Sequence, residues 1–76
     1  MPTIMIICGL KFFFYSKEES RMHVHVEQQV RELKVWLDTF ELAYNRNFPE
    51  HDVLEIIKLV RRHEKSIKQA WNAHFG

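Results

Sequence analysis

Hydrophobic residues change their spacing about two thirds of the way along the chain. Before that point they recur at every second position, the period of a strand whose alternate side chains face opposite sides. Beyond it they recur every three or four positions, the period of a helix. Residues 3–8 form an apolar, Ile-rich run closed by Gly9, and residues 10–16 follow as a second strand, so the two predict a tight hairpin. Residues 17–20 read as a polar loop. Residues 22–28 contain His-Val-His-Val, and residues 31–38 place Leu33, Val35 and Leu37 on one face with Lys34, Trp36 and Asp38 on the other. The Gln28-Gln29-Val30 stretch between them lacks the Gly, Asn or Asp that favours a hairpin turn. Residues 40–44 read as a short fifth strand or an irregular crossing.

Asn45-Arg46-Asn47 reads as a loop. Pro49 then suits the first turn of a helix, where its missing N–H costs nothing, and Glu50 and Asp52 complement the positive helix start. Val53, Ile56, Ile57, Val60, Ile67, Trp71 and Phe75 gather on one side of a single helix over residues 49–73. The expected fold is α+β. Residues 1–76 make one domain, with an antiparallel sheet of four strands, or five, over residues 3–44 and one long C-terminal helix across one face. Val24, Val26, Leu33, Val35 and Leu37 should then meet Ile56, Val60 and Ile67.

Length and charge narrow the function classes. A chain of 76 residues buries a thin core. Cys8 is the sole cysteine, so neither an internal disulfide nor a set of Cys ligands for zinc is available. It is expected as a buried hydrophobe in the first strand, and a reducing cytoplasm is the matching compartment. Eleven Lys and Arg against ten Asp and Glu leave a net charge of +1, so bulk charge points to neither nucleic acid nor membrane. The apolar stretch 4–14 is interrupted by Lys11 and falls short of the roughly 20 residues a membrane span needs. It has no basic leader or small-residue cleavage site, and is not read as a signal peptide. No residue pattern asks for a cofactor.

The candidate chemistry centres on His23 and His25. Two positions apart on a strand, the imidazoles share a face. They could supply a general base and a general acid, the equipment that cleaves RNA through its own 2′-hydroxyl. Their spacing also suits two ligands of zinc, but no clear third ligand completes such a site, so no metal is expected. The plain alternative is two hydrogen-bonded, inert side chains on a solvated or interface face. Lys34, Trp36 and Asp38 belong to the same face if the third and fourth strands pair. Lys34 or Arg21 could steady a phosphate, Trp36 could stack on a base, and Asp38 could orient an imidazole or simply begin the next turn.

Three further features stand out. Phe12 and Phe14 point one way, and Phe13 and Tyr15 the other. One helix covers one sheet face, so an aromatic pair is left for the far face, with Phe13, Tyr15 and Trp36 as candidate interface residues. Lys58, Arg61, Arg62, Lys65 and Lys68 form a basic stripe opposite the apolar helix face. It could follow a phosphate backbone or be an ordinary solvated surface. His63 sits at the edge of the apolar face, where a hydrogen bond to the sheet is expected. No Gly-rich phosphate loop, nucleophile elbow or Cys-x-x-Cys motif occurs.

Taken in order, several of these marks resemble a known family. They are Met1-Pro2-Thr3-Ile4, Gly9, Phe13-Phe14-Tyr15-Ser16, His23-Val24-His25-Val26-Glu27, Trp36-Leu37-Asp38, and a closing helix with His63 and Trp71. Together they are similar to the bacterial domain-of-unknown-function family four-one-six-zero over essentially the whole chain. The resemblance implies a small cytoplasmic bacterial protein, often encoded beside a second small protein. Some such pairs look like toxin–antitoxin modules with this family as the toxin, and the His-x-His strand is its most regular feature. With the residues above, the expected function is a toxin of such a pair acting on RNA through His23 and His25, or alternatively a non-catalytic module that binds a neighbour-encoded small protein or a second copy through its open sheet face; no membrane partner is expected. Where the family usually carries Pro-Pro, this chain has Arg21-Met22, and the turn after Glu27 lacks the usual Gly or Asp.

Overall fold

The computed structural model describes residues 3–15 and 20–75. The predicted strand end at Ser16, most of the polar loop 17–20 and the Met1-Pro2 mark lie outside them. The described chain is a five-stranded antiparallel meander followed by two helices. Its elements are β1 (Thr3–Ile7), β2 (Leu10–Phe13), β3 (His23–Gln28), β4 (Arg31–Trp36), β5 (Leu42–Arg46), α1 (Glu50–Arg62) and α2 (Glu64–Phe75). The strands pair in sequence order, β1-β2-β3-β4-β5.

Tight turns set the register. Ile7 pairs with Leu10 across Cys8 and Gly9, which both take left-handed φ values of 52° and 76°. That geometry matches the twist of the flanking strands. It also moves Cys8 out of the predicted first strand: its thiol is exposed at the turn, and the expected buried cysteine is corrected. Gln28 pairs with Arg31, so Gln29 and Val30 make a two-residue turn without Gly, Gln29 adopting φ 55°. Between β4 and β5, Phe40 holds φ 62°, and its N–H donates to the Trp36 carbonyl at 2.8 Å. Ring packing against the core holds this bulky residue where a glycine is favoured.

One face of the sheet carries the main core. Val24, Val26, Leu33, Val35 and Leu37 share a core with Ile56, Val60 and Ile67, as the two periodicities predict, and Phe12, Phe14, Val53 and Trp71 join it; the alternation alone left the face of Phe12 and Phe14 open. The helical stretch differs in one respect from the expected single helix. It is broken at His63, whose φ of −103° and ψ of 22° leave helical geometry. The hydrogen-bond ladder still runs through the junction: His63 N–H donates to Leu59 O and Ile67 N–H to His63 O, each at 3.0 Å. The break leaves the phase of the apolar stripe unchanged, which is why the spacing gave no sign of it. On α2, Trp71 stands edge-on to Phe14 at 5.3 Å between centroids and to His23 at 5.0 Å. No described helix is long and apolar enough to cross a membrane.

Candidate functional site

The face turned away from the helices is built in rows, because antiparallel pairing lines up every second residue of neighbouring strands. One row is Phe13–His25–Lys34–Tyr44. The next is Lys11–Glu27–Glu32–Arg46, two acids flanked by two cations. On the other side, His23 pairs with Trp36. The strand alternation thus brings His23, His25, Lys34 and Trp36 together, as the sequence indicates.

These rings do not lie open. Phe13 and His23 are completely buried, and His25 is 3% exposed. The two imidazoles meet edge to face with centroids 5.2 Å apart. His25 stacks on Phe13 at 5.4 Å and takes Tyr15 edge-on at 4.5 Å. His23 is flanked by Trp36 at 5.6 Å and by Trp71 at 5.0 Å. The far face therefore covers much of its own aromatic surface. Phe13 offers no area to a partner, while Tyr15 (37% exposed) and Trp36 keep part of theirs.

Hydrogen bonds fix the tautomers. His23 Nδ1 lies 2.7 Å from the Arg21 carbonyl, which only accepts, so Nδ1 carries the proton. His25 Nδ1 lies 3.2 Å from Tyr44 Oη, and the Tyr44 hydroxyl donates to Glu32. His25 therefore donates from Nδ1 as well, and a chain runs from imidazole through phenol to carboxylate. In the neutral rings the lone pair sits on Nε2. The other Glu32 oxygen accepts from Tyr15 Oη at 3.1 Å. Burial pushes the Tyr44 phenol well above its usual range, and donation to Glu32 adds to the effect; Tyr15 is raised by the same two causes in the same order. Both phenols are thereby held as donors. Among the described residues, no buried side-chain nitrogen or oxygen lacks a partner.

Arg21 and Asp38 are occupied with each other. The Arg21 guanidinium donates twice to the carboxylate, Nε to Oδ2 at 3.0 Å and Nη2 to Oδ1 at 3.0 Å. These bonds hold the Asp38 carboxyl below its usual range. Asp38 also accepts the Thr39 N–H at 2.9 Å, so it begins the turn after β4 and orients Arg21 rather than an imidazole. Arg21 lies over the Trp36 ring at 4.2 Å, and Lys34 is 4.4 Å from the same centroid. His63 sits at the helix break, and its ring makes no hydrogen bond to the sheet among the described residues, contrary to expectation.

Sequence reasoning missed Glu32 and Tyr44. The signal was present: Glu32 shares the parity of Lys34 and Trp36, and a paired fifth strand places Tyr44 beside Lys34. Among the described residues, no three His, Cys, Asp or Glu side chains are grouped to hold a metal ion. A shallow cleft of about 200 Å³ lies on the helix side, between the β1–β2 turn and α1, lined in part by Cys8, Leu10, Phe48 and Ile56.

The fold and this face define a small α+β protein, a meander with helices on one side and, on the other, a closed imidazole–phenol cluster that Trp71 of α2 reaches at His23. The chain belongs to the family described as Domain of unknown function (DUF4160), whose family model matches residues 9–72. No curated protein and no solved structure gives a significant match.

Proposed function

We propose that this chain is a protein-interaction module, one member of a pair of small cytoplasmic proteins, and that it binds its partner through the sheet face opposite the helices. The observation that carries this reading is the burial of His23 and His25, at 0% and 3% exposure. General acid–base catalysis needs hydrogen-bond reach to a substrate. Imidazoles closed in by rings on several sides serve the surface above them. That surface offers Tyr15 and Trp36 as partly exposed aromatic anchors, with Ile6 68% exposed beside Lys11. Lys11, Lys34 and Arg46 complete a polar rim, the composition of an interface centre and edge. The partner is a neighbour-encoded small protein or, failing that, a second copy.

A toxin that acts on RNA through the two imidazoles is the second reading. The 5.2 Å ring separation and the Tyr44–Glu32 relay behind His25 favour it, since two imidazoles so close can act as acid and base on one substrate. It requires the rings to come into the open. Light scattering of the purified chain with its neighbour-encoded protein separates the two. A complex is expected that Trp36→Ala weakens by at least about tenfold, the effect of losing an aromatic anchor. A wild-type chain that ignores that protein and stays monomeric contradicts the module, as does a complex untouched by a folded Trp36→Ala variant. Growth arrest on induction that is abolished in a folded His23→Asn, His25→Asn variant transfers the case to catalysis.

A further inference from the structure

The basic stripe on the helices plays no part in the sheet-face reading, and its charge is concentrated. Residues 58–68 hold five of the chain's eleven Lys and Arg and one of its ten Asp and Glu. That stretch therefore carries +4 and the remaining residues −3, a separation hidden by the net charge of +1. Helix electrostatics explains only part of it. Arg61 and Arg62 close α1, where cations complement the negative helix end. Lys65 lies in the first turn of α2, where the dipole disfavours a cation.

Pairing within the chain does not neutralise the stripe. Lys58 meets Glu55 at 3.6 Å and Lys68 meets Glu64 at 2.7 Å. Among the described residues, no carboxylate lies within ion-pair distance of Arg61, Arg62 or Lys65, and all three are exposed. Arg61 is also steadied, its guanidinium resting 4.7 Å from the centre of the Phe40 ring. A cation held in place loses less freedom on binding.

From these observations we infer that the outer surface of the α1–α2 junction binds the phosphodiester backbone of nucleic acid. A protein partner needs apolar anchors at its centre. Among the described residues, the exposed large hydrophobics are Ile6, Tyr15, Val30, Leu42 and Leu54, and only Leu54, one turn before Lys58, adjoins the stripe. The outward positions that accompany the cations are the neutral donors Ser66, Gln69 and Asn72. Cations and neutral donors are what phosphate and sugar contacts use, and they bring position without sequence preference. This surface is independent of the sheet face, so either assignment can fail alone.

Fluorescence anisotropy with a labelled single-stranded RNA of about 20 nucleotides, across roughly 50–200 mM salt, tests it. Five phosphate contacts predict a log–log salt slope of about −3.5, and removing three of them should bring it to about −1.4. The variant carrying Arg61→Gln, Arg62→Gln and Lys65→Gln should bind at least about tenfold more weakly at the low-salt end. All three positions are exposed, so the circular dichroism melt should stay cooperative, lowered by no more than the loss of the Arg61–Phe40 contact and the helix-end charges. Should the triple variant not fold, Lys65→Gln alone, with a slope lower by about 0.7, decides the point. The inference is overturned by any of three results. These are absence of wild-type binding at low salt, a slope unchanged in the folded variant, or equal competition by an oligo-glutamate peptide, which would assign the stripe to an acidic protein segment.

Discussion

Replacing Phe13 with Ala examines whether the sheet has a packed layer on the side away from its helices. Phe13 is completely buried, stacked on His25, met edge-on by Tyr15 at 5.2 Å and overlain by Lys11 at 5.5 Å. Truncating a ring in a close-packed site costs about 3–5 kcal/mol, whereas trimming a solvated one changes stability by about 0.5 kcal/mol or less. At roughly 0.05–0.15 kcal/mol per residue, a chain of this size has about 4–11 kcal/mol in all. Phe13→Ala should therefore remove a large share of the stability and lower Tm by at least about 12 °C, since each kcal/mol shifts a domain of this size by about 4–8 °C. Phe12→Ala, on the helix side and equally buried, should have an effect of the same order. Urea denaturation of the three proteins, followed by tryptophan fluorescence, measures the difference. A Phe13→Ala protein within about 1 kcal/mol of wild type would refute the reasoning, because the far face would then hold no packed layer.

Two further predictions concern the phenol cluster and the main core. Tyr44 and Tyr15 have folded-state pKa values raised above the ordinary 10.0, so their contribution to stability is fully present below that pH and is lost as pH rises through the folded values. Urea melts near pH 8 and pH 11 should show wild type losing more stability over that interval than Tyr44→Phe; equal losses would contradict the Tyr44–Glu32 bond. Val60 is completely buried in the helix-side core, so Val60→Asp would bury a charge without a partner and should abolish the cooperative melt. A normal transition for that variant would overturn the helix-face assignment.

Much of the architecture was legible because two periods carry it. The alternation of Val24 and Val26 with His23 and His25 gave the strand and both of its faces. The stripe from Val53 to Trp71 gave the helix face. What escaped was set by local geometry with no residue signature. The turn at Gln29 forms without Gly because the pairing of Glu27 with Glu32 and Gln28 with Arg31 imposes it. The break at His63 keeps the apolar phase, so no spacing betrays it. Cys8 is exposed because it stands with Gly9 in the two-residue turn, outside the strand that its apolar neighbours suggested. At the candidate site, the sharing of a face by His23, His25, Lys34 and Trp36 could be read directly. Their burial could not, because it depends on Phe13 and Tyr15, Tyr44, and Trp71 arriving from three different parts of the chain.

The most direct test of the central claim, that the imidazole pair is a closed part of the interaction surface, is histidine labelling with diethyl pyrocarbonate read by peptide mass spectrometry. The chain carries its own standards: the His51 side chain is 83% exposed, and His74 is exposed near the end of α2. His51 and His74 should be modified rapidly in the native protein, while His23 and His25 should react only after denaturant unfolds the sheet. Modification of His23 or His25 in the folded chain at the rate of His51 would contradict the account and return the pair to the role of an accessible acid and base.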